Sequence, residues 1–202
     1  MLTVILDHLE ILGTIIGLIY LYQEYTAKKS LWITGIIMPA IYIYVYYDHG
    51  LYADFGLQVY YLFAAVYGWL VWTFGRKHNQ KQGEEMPITH FKSRLILPSL
   101  LIAILLFAVI AYVLVNFTDS TVPYWDSAVN SLSIIALWML ARKYIEQWLL
   151  WLIVDALCCA LYFYKGIPFT AVLYGIYTVI AIFGYYQWRR IMASPNNHSQ
   201  AS

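Results

Sequence analysis

Apolar residues gather into seven blocks along the chain, at roughly 8–25, 31–47, 55–74, 95–116, 127–141, 148–164 and 168–188, and polar residues concentrate in the connections. A helix of about 20 apolar residues spans a bilayer, so this pattern predicts seven transmembrane helices. The blocks at 31–47 and 127–141 are short and suit a thin or water-invaded centre better than a simple lipid-facing role. The cations then sort by side. Lys28, Lys29, Arg76, Lys77, Lys81, Lys92, Arg94, Arg142, Lys143, Arg189 and Arg190 share one side of the seven-span topology, and Lys165 alone takes the other. Cationic loops stay in the cytoplasm, so the C-terminus is expected inside and the N-terminus outside. Dropping or adding a span in the first half would destroy this sorting.

Composition agrees with a membrane class. Residues are 62% hydrophobic and 11% charged, whereas a soluble domain is charged at about a quarter of its positions. The first block has no cationic start and no small-residue cleavage site, so it reads as a retained span. A net charge of +1 offers nothing to nucleic acid. Cys158 and Cys159 are adjacent and fall mid-helix, which implies no structural disulfide. His8, His49, His78, His90 and His198 are dispersed without metal-ligand spacing, and neither metal nor cofactor is expected. With no nucleophile–base pair and no glycine-rich phosphate loop, the chain does not read as an enzyme. A retinal-binding protein would need a lysine in the last span, and none lies between Phe169 and Gln187.

Sliding the chain along itself exposes a recurring offset of 116. It pairs Trp32 with Trp148, Tyr46 with Tyr162, Gly50 with Gly166, Leu57 with Leu173, Tyr61 with Tyr177, Gly68 with Gly184 and Trp72 with Trp188. Spans one to three thus resemble spans five to seven, in the same orientation, with span four left over. The expected fold is an all-α integral membrane protein of two parallel three-helix repeats joined by a linking helix, a 3+1+3 arrangement. Such parallel repeats are related by an axis along the membrane normal and place a substrate site near the midplane between them. The divisions are 1–74 for the first repeat, 75–116 for a cytoplasmic loop and the linking helix, 117–190 for the second repeat, and 191–202 for a disordered tail. Gly83 and Pro87 mark the long connection as loop. Outside, Trp125 is expected as an interface anchor, with Asp126 or Ser127 as the N-cap of span five.

Asp155 is the position that most demands an explanation. It lies mid-span among Leu152, Ile153, Val154 and Ala156, where insertion of a carboxylate costs on the order of 2.5–3.5 kcal/mol. Water, a partner or a cationic guest must offset that, and no Lys or Arg lies near the middle of another span. The blander alternative is a protonated or water-bridged acid at a kink. Trp148, Trp151, Asp155, Cys158 or Cys159, and Tyr162 follow at steps of three and four, which share a helix face. The corresponding face of span two carries Trp32, Gly35, Pro39, Tyr42 or Ile43, and Tyr46. A mid-span proline frees a carbonyl near the membrane centre. Aromatic faces with one acid and one free carbonyl would suit a flat organic cation through cation–π attraction. Span three adds Gln58 and Tyr61, and span seven adds Tyr174 and Tyr177. Taken singly, each of these aromatics is as well explained by packing.

Specific segments carry a family resemblance. Leu51-Tyr52-Ala53, Leu57-Gln58-Val59-Tyr60, Tyr67-Gly68-Trp69 with Trp72, Pro123-Tyr124-Trp125-Asp126-Ser127, and Arg142-Lys143-Tyr144-Ile145-Glu146 with Trp148-Leu149-Leu150-Trp151 resemble the Pnu (PnuC-like) family of bacterial vitamin transporters. The resemblance covers nearly the whole chain except the 75–94 loop and the tail. It implies a SWEET-like fold in the bacterial inner membrane, a homotrimer, and facilitated diffusion of a vitamin that a cytoplasmic kinase traps by phosphorylation. The riboside members of the family are expected to carry asparagine where this chain has Asp155, and another where it has Met38 beside Pro39. An amide matches a carboxamide by donor and acceptor pairing. A carboxylate suits an aminopyrimidine or a cationic ring. The expectation is therefore thiamine, through the family's thiamine branch, with nicotinamide riboside as the alternative and a seven-span sensor that moves nothing as the distant one. The substrate-binding set expected from these readings is Asp155, Gln58, Trp148, Trp151, Tyr61, Tyr162, Tyr177, Tyr174 and Trp32.

Overall fold

The computed structural model describes residues 16–48, 52–75 and 86–194. The first helix, α1, is described over 16–25. It is followed by α2 (Ser30–Asp48), α3 (Tyr52–Phe74), a short 3₁₀ turn (Ser93–Leu95), α4 (Ile96–Phe117), α5 (Pro123–Ala141), α6 (Gln147–Tyr164) and α7 (Pro168–Ala193). Seven helices are thus present among the described residues, where the apolar blocks predicted them, and no strand is. The start of the expected first span (8–15), most of the long connection expected in the cytoplasm (76–85) and the tail after Ser194 lie outside the described residues. Residues 191–193, placed in the tail by composition, continue α7.

Helix starts follow local chemistry. Pro123 and Pro168 stand in the first turns of α5 and α7, where a missing N–H costs nothing and the fixed φ suits a helix. Pro123 opens α5 earlier than expected. The residue before it, Val122, is the N-cap, and Asp126 and Ser127 lie inside the helix. The Ser127 hydroxyl donates back to the Pro123 carbonyl at 2.6 Å, Asn130 to the Asp126 carbonyl at 2.7 Å, and Ser133 to the Val129 carbonyl at 2.9 Å. The polar half of α5 is therefore satisfied within its own helix. The stretches Ser93–Phe117, Gln147–Tyr164 and Pro168–Ala193 are long and apolar enough to cross a membrane.

The chain divides into two compact units, 1–86 and 87–202. In the first, α2 packs along α3. The Thr34 hydroxyl donates to the Gln23 side-chain oxygen at 2.7 Å, which ties α2 to α1. In the second, α4 packs on α5, α5 on α6 and α6 on α7, so the helix read as a linker joins the second unit.

Both units share one internal lock. Trp32 and Trp72 meet edge to face with ring centroids 5.6 Å apart and planes at 83°, and Trp148 and Trp188 meet at 5.9 Å and 85°. All four rings are fully buried. Gly68 faces the Trp32 ring and Gly184 the Trp148 ring so closely that no Cβ would fit. Edge-to-face pairs of this kind add about 0.5–1.5 kcal/mol beyond area burial.

The corners that lead into α2 and α6 are equally alike. Lys28 N–H donates to the Gln23 carbonyl at 2.9 Å, and Tyr144 N–H to the Met139 carbonyl at 3.0 Å. Leu31 bonds Lys28 and Gln147 bonds Tyr144, both at 3.2 Å. At each corner one non-glycine residue takes positive φ, Ala27 at 54° and Lys143 at 52°.

The second corner holds a further segment. Thr89 N–H donates to the Lys143 carbonyl at 3.0 Å, and Ile145 N–H donates to the Thr89 carbonyl at 3.1 Å, forming one parallel bridge. The Phe91 N–H and the His90 ring reach the two carboxylate oxygens of Glu146 at 2.7 and 2.8 Å. Phe91 packs edge-on against Tyr144 and Trp138. Residues 87–91, read as plain loop, are a strap fastened across the α5–α6 corner.

Candidate functional site

Helix α6 carries the chemistry of the second unit. Its buried side comprises Gln147, Trp148, Val154, Asp155, Cys158 and Leu161. Asp155 is 8% exposed and forms neither a hydrogen bond nor an ion pair with any described residue. It lies close enough to Tyr177 of α7 and to Cys158 for its charge to act on both. A buried carboxylate with no cation beside it among the described residues would be stabilised in its charged form by a cationic guest.

Aromatic rings gather beyond Asp155 towards the C-terminal end of α6. Tyr162 of α6 stacks on Tyr174 of α7 with centroids 5.3 Å apart and planes within 7°, and Tyr174 meets Tyr177 edge-on at 5.8 Å. Beyond them Lys165 stands 5.9 Å from the Tyr162 ring centroid and donates to Asp126 at 3.1 Å. Asp126 also accepts from Ser120 at 2.9 Å. A cation–aromatic–acid chain thus lies at the C-terminal end of α6.

The expected residues take different stations. Asp155, Tyr162, Tyr174 and Tyr177 are brought together between α6 and α7. Trp151 is half-buried, and its indole N–H is buried without a partner. Trp148 and Trp32 belong to the edge-to-face locks, with rings enclosed by Trp188 and Trp72. In the first unit, Gln58 is half-buried and Tyr61 is 36% exposed, leaning on Tyr60 at 5.5 Å. Pro39 is buried in α2 and supplies no N–H to the Gly35 carbonyl. Among the described residues, no three His, Cys, Asp or Glu side chains could hold a metal.

Sequence reasoning passed over Gln147. It is completely buried, and neither its amide oxygen nor its amide nitrogen has a partner among the described residues. Its offset partner in the first unit is Leu31, also completely buried. That contrast was available in the repeat.

Long apolar helices around an unpaired acid and clustered aromatics fit a multi-span membrane protein, and comparison with known proteins places it among transporters. The chain belongs to the nicotinamide mononucleotide transporter family, whose model matches residues 7–190. It is 28% identical to the nicotinamide riboside transporter PnuC of Escherichia coli (strain K12), over 91% of this chain and 85% of that protein. It is 25% identical to the riboflavin/roseoflavin transporter RibM of Streptomyces davaonensis, over 89% of this chain and 83% of the relative. The crystal structure of the vitamin B3 transporter PnuC has the same fold, with a TM-score of 0.63 at 23% identity over 87% of this chain and 78% of that one. The Pnu resemblance read from the motifs is thereby established. These relatives are transporters and not enzymes.

Proposed function

We propose that this protein carries a flat, heteroaromatic vitamin across the bacterial inner membrane, with nicotinamide riboside as its substrate. The observation that carries the reading is Asp155, buried mid-helix with no partner among the described residues and flanked by tyrosine rings. Nicotinamide riboside brings a pyridinium charge for the acid and a planar ring for the aromatics. Relatives named for that riboside support the choice. They move it ahead of thiamine, which the residues alone had favoured. Thiamine remains the second reading because an aminopyrimidine also suits a carboxylate.

In this reading Asp155 holds the charge, Tyr162, Tyr174 and Tyr177 pack on the ring, and Trp151 offers its indole N–H. Gln58 and Tyr61 are retained as binding residues of the first unit for their polar tips. Trp148 and Trp32 fix the helices that carry the others. The 3+1+3 arrangement, the homotrimer, cytoplasmic C-terminus, facilitated diffusion and trapping by phosphorylation belong to the same proposal, supported by the Pnu resemblance and the sorting of cations. Binding titrations with nicotinamide riboside, thiamine and riboflavin, followed by labelled uptake into proteoliposomes, test it. Tightest binding and flux for the riboside are expected. Tighter thiamine binding reverses the substrate choice, and binding without flux favours a sensor.

A further inference from the structure

Besides the Trp148 indole N–H inside the lock, three polar groups on α6 lack partners among the described residues and share one band of the helix. Gln147, Trp151 and Asp155 follow at steps of four, so they stand along one slowly turning face. At a rise of about 1.5 Å per residue the band is roughly 12 Å long. Both polar atoms of the Gln147 amide and the Trp151 indole N–H are buried and unpartnered. Asp155, 8% exposed, has no hydrogen bond or ion pair with a described residue. Buried polar groups are ordinarily hydrogen-bonded, and each that is not costs stability. The first unit avoids the cost at the matching position, where Leu31 is packed just as completely. An amide that folding does not need, retained in a closed setting, is there for something that comes and goes.

We propose that Gln147, Trp151 and Asp155 form a transfer lane along α6, in which Gln147 is the innermost station. There its amide takes over the hydrogen-bonding edge of the vitamin, a carboxamide or a hydroxyl, after the ring has left Asp155. The lane rests on the transport reading and on its orientation, since Arg142 and Lys143 mark the Gln147 end of α6 as the cytoplasmic one. An amide suits this task because it both donates and accepts, whereas a second acid would hold a cationic guest too long. Gln147 thereby governs release and sets the rate, while Asp155 governs affinity.

The test is Gln147→Leu, the side chain that the first unit carries at this position, made in the full-length chain. Three quantities are read: nicotinamide riboside affinity by calorimetry, tracer counterflow of the same vitamin in proteoliposomes, and melting temperature in detergent. The expected result is counterflow reduced roughly tenfold, affinity held within about threefold, and melting unchanged or raised because an unpaired amide has gone. Gln147→Asn, which keeps the amide, is expected to restore part of the flux. Unchanged counterflow in the leucine variant overturns the lane. So does lost flux accompanied by a lowered melting temperature, which would make Gln147 a structural residue. Wild-type protein that binds vitamin and shows no counterflow would instead sink the transport reading on which the lane rests, a result distinguishable from either.

Discussion

Ala27 and Lys143 stand 116 positions apart and hold the same left-handed backbone, φ 54° and 52°, at corners closed by matching hydrogen bonds. Neither is glycine or asparagine, so the corner imposes the conformation on residues that disfavour it. For an L-residue the left-handed region costs roughly 1–2 kcal/mol. Glycine would relieve that strain and lose about 0.5–1 kcal/mol through its greater freedom when unfolded. Ala27→Gly is therefore expected to stabilise the protein by up to about 1 kcal/mol, read as a raised melting temperature. Ala27→Val, β-branched at positive φ, should lower it. Equal melting for all three would show that the corner relaxes freely.

The tryptophan locks make a second stability prediction. A Cβ on Gly184 would stand 2.6 Å from the Trp148 ring, which Trp188 holds edge-on from another side. The ring has nowhere to retreat, so Gly184→Ala should cost about 1–3 kcal/mol through overpacking. Gly68→Ala should act in the same way against Trp32. Gly17→Ala is the control, since nothing stands within 4 Å of its added methyl group, and it should be neutral or mildly stabilising. Differential melting of the three variants checks the order.

Much of this was legible in the chain. Helix positions followed from apolar runs because each helix is long and its ends are marked by Pro123, Pro168 or charged corners. The locks were legible as pairs, since Trp32, Gly68 and Trp72 recur as Trp148, Gly184 and Trp188. Their geometry was not, because an aromatic stripe has the same spacing whether it lines a pocket or fills a core. Trp148 is fully buried in the lock and Trp151 only half-buried, although they are three residues apart. The left-handed corners were hidden because Ala27 and Lys143 carry none of the usual chemistry for positive φ. The strap was hidden because its hold is made by backbone groups of Thr89 and Phe91, whose side chains announce nothing. Gln147 escaped notice because a glutamine in a first helical turn normally faces solvent.

The strap gives a prediction for Glu146. Its carboxylate accepts from the Phe91 N–H and from His90, and the rest of the strap is joined by the Thr89 bridge. Hydrogen bonds to a charged group contribute about 1.5–3 kcal/mol. Glu146→Ala should therefore loosen residues 87–92 and speed tryptic cleavage at Lys92 and Arg94, with the remainder of the chain intact. His90→Ala should do far less, because the histidine is 64% exposed and exposed pairs contribute only about 0–1 kcal/mol. Equal cleavage in the two variants would mean that Glu146 does not hold the strap.

Asp155 tests the chemistry directly. Its carboxylate has no partner among the described residues, so replacing it cannot break a native bond there. Asp155→Asn keeps the shape and removes the charge, and with it part of an insertion cost on the order of 2.5–3.5 kcal/mol. The variant should fold at least as well as the parent. Its affinity for nicotinamide riboside should fall by less than about tenfold, because the pyridinium loses a counter-charge while the new amide can pair with the carboxamide. Thiamine should lose more, since its aminopyrimidine gives up a charge-assisted hydrogen bond as well. A neutral vitamin such as riboflavin should lose little. Calorimetric titration of the three vitamins against both proteins reads the pattern, and a uniform loss across all of them would mean that Asp155 shapes the helix instead of recognising charge.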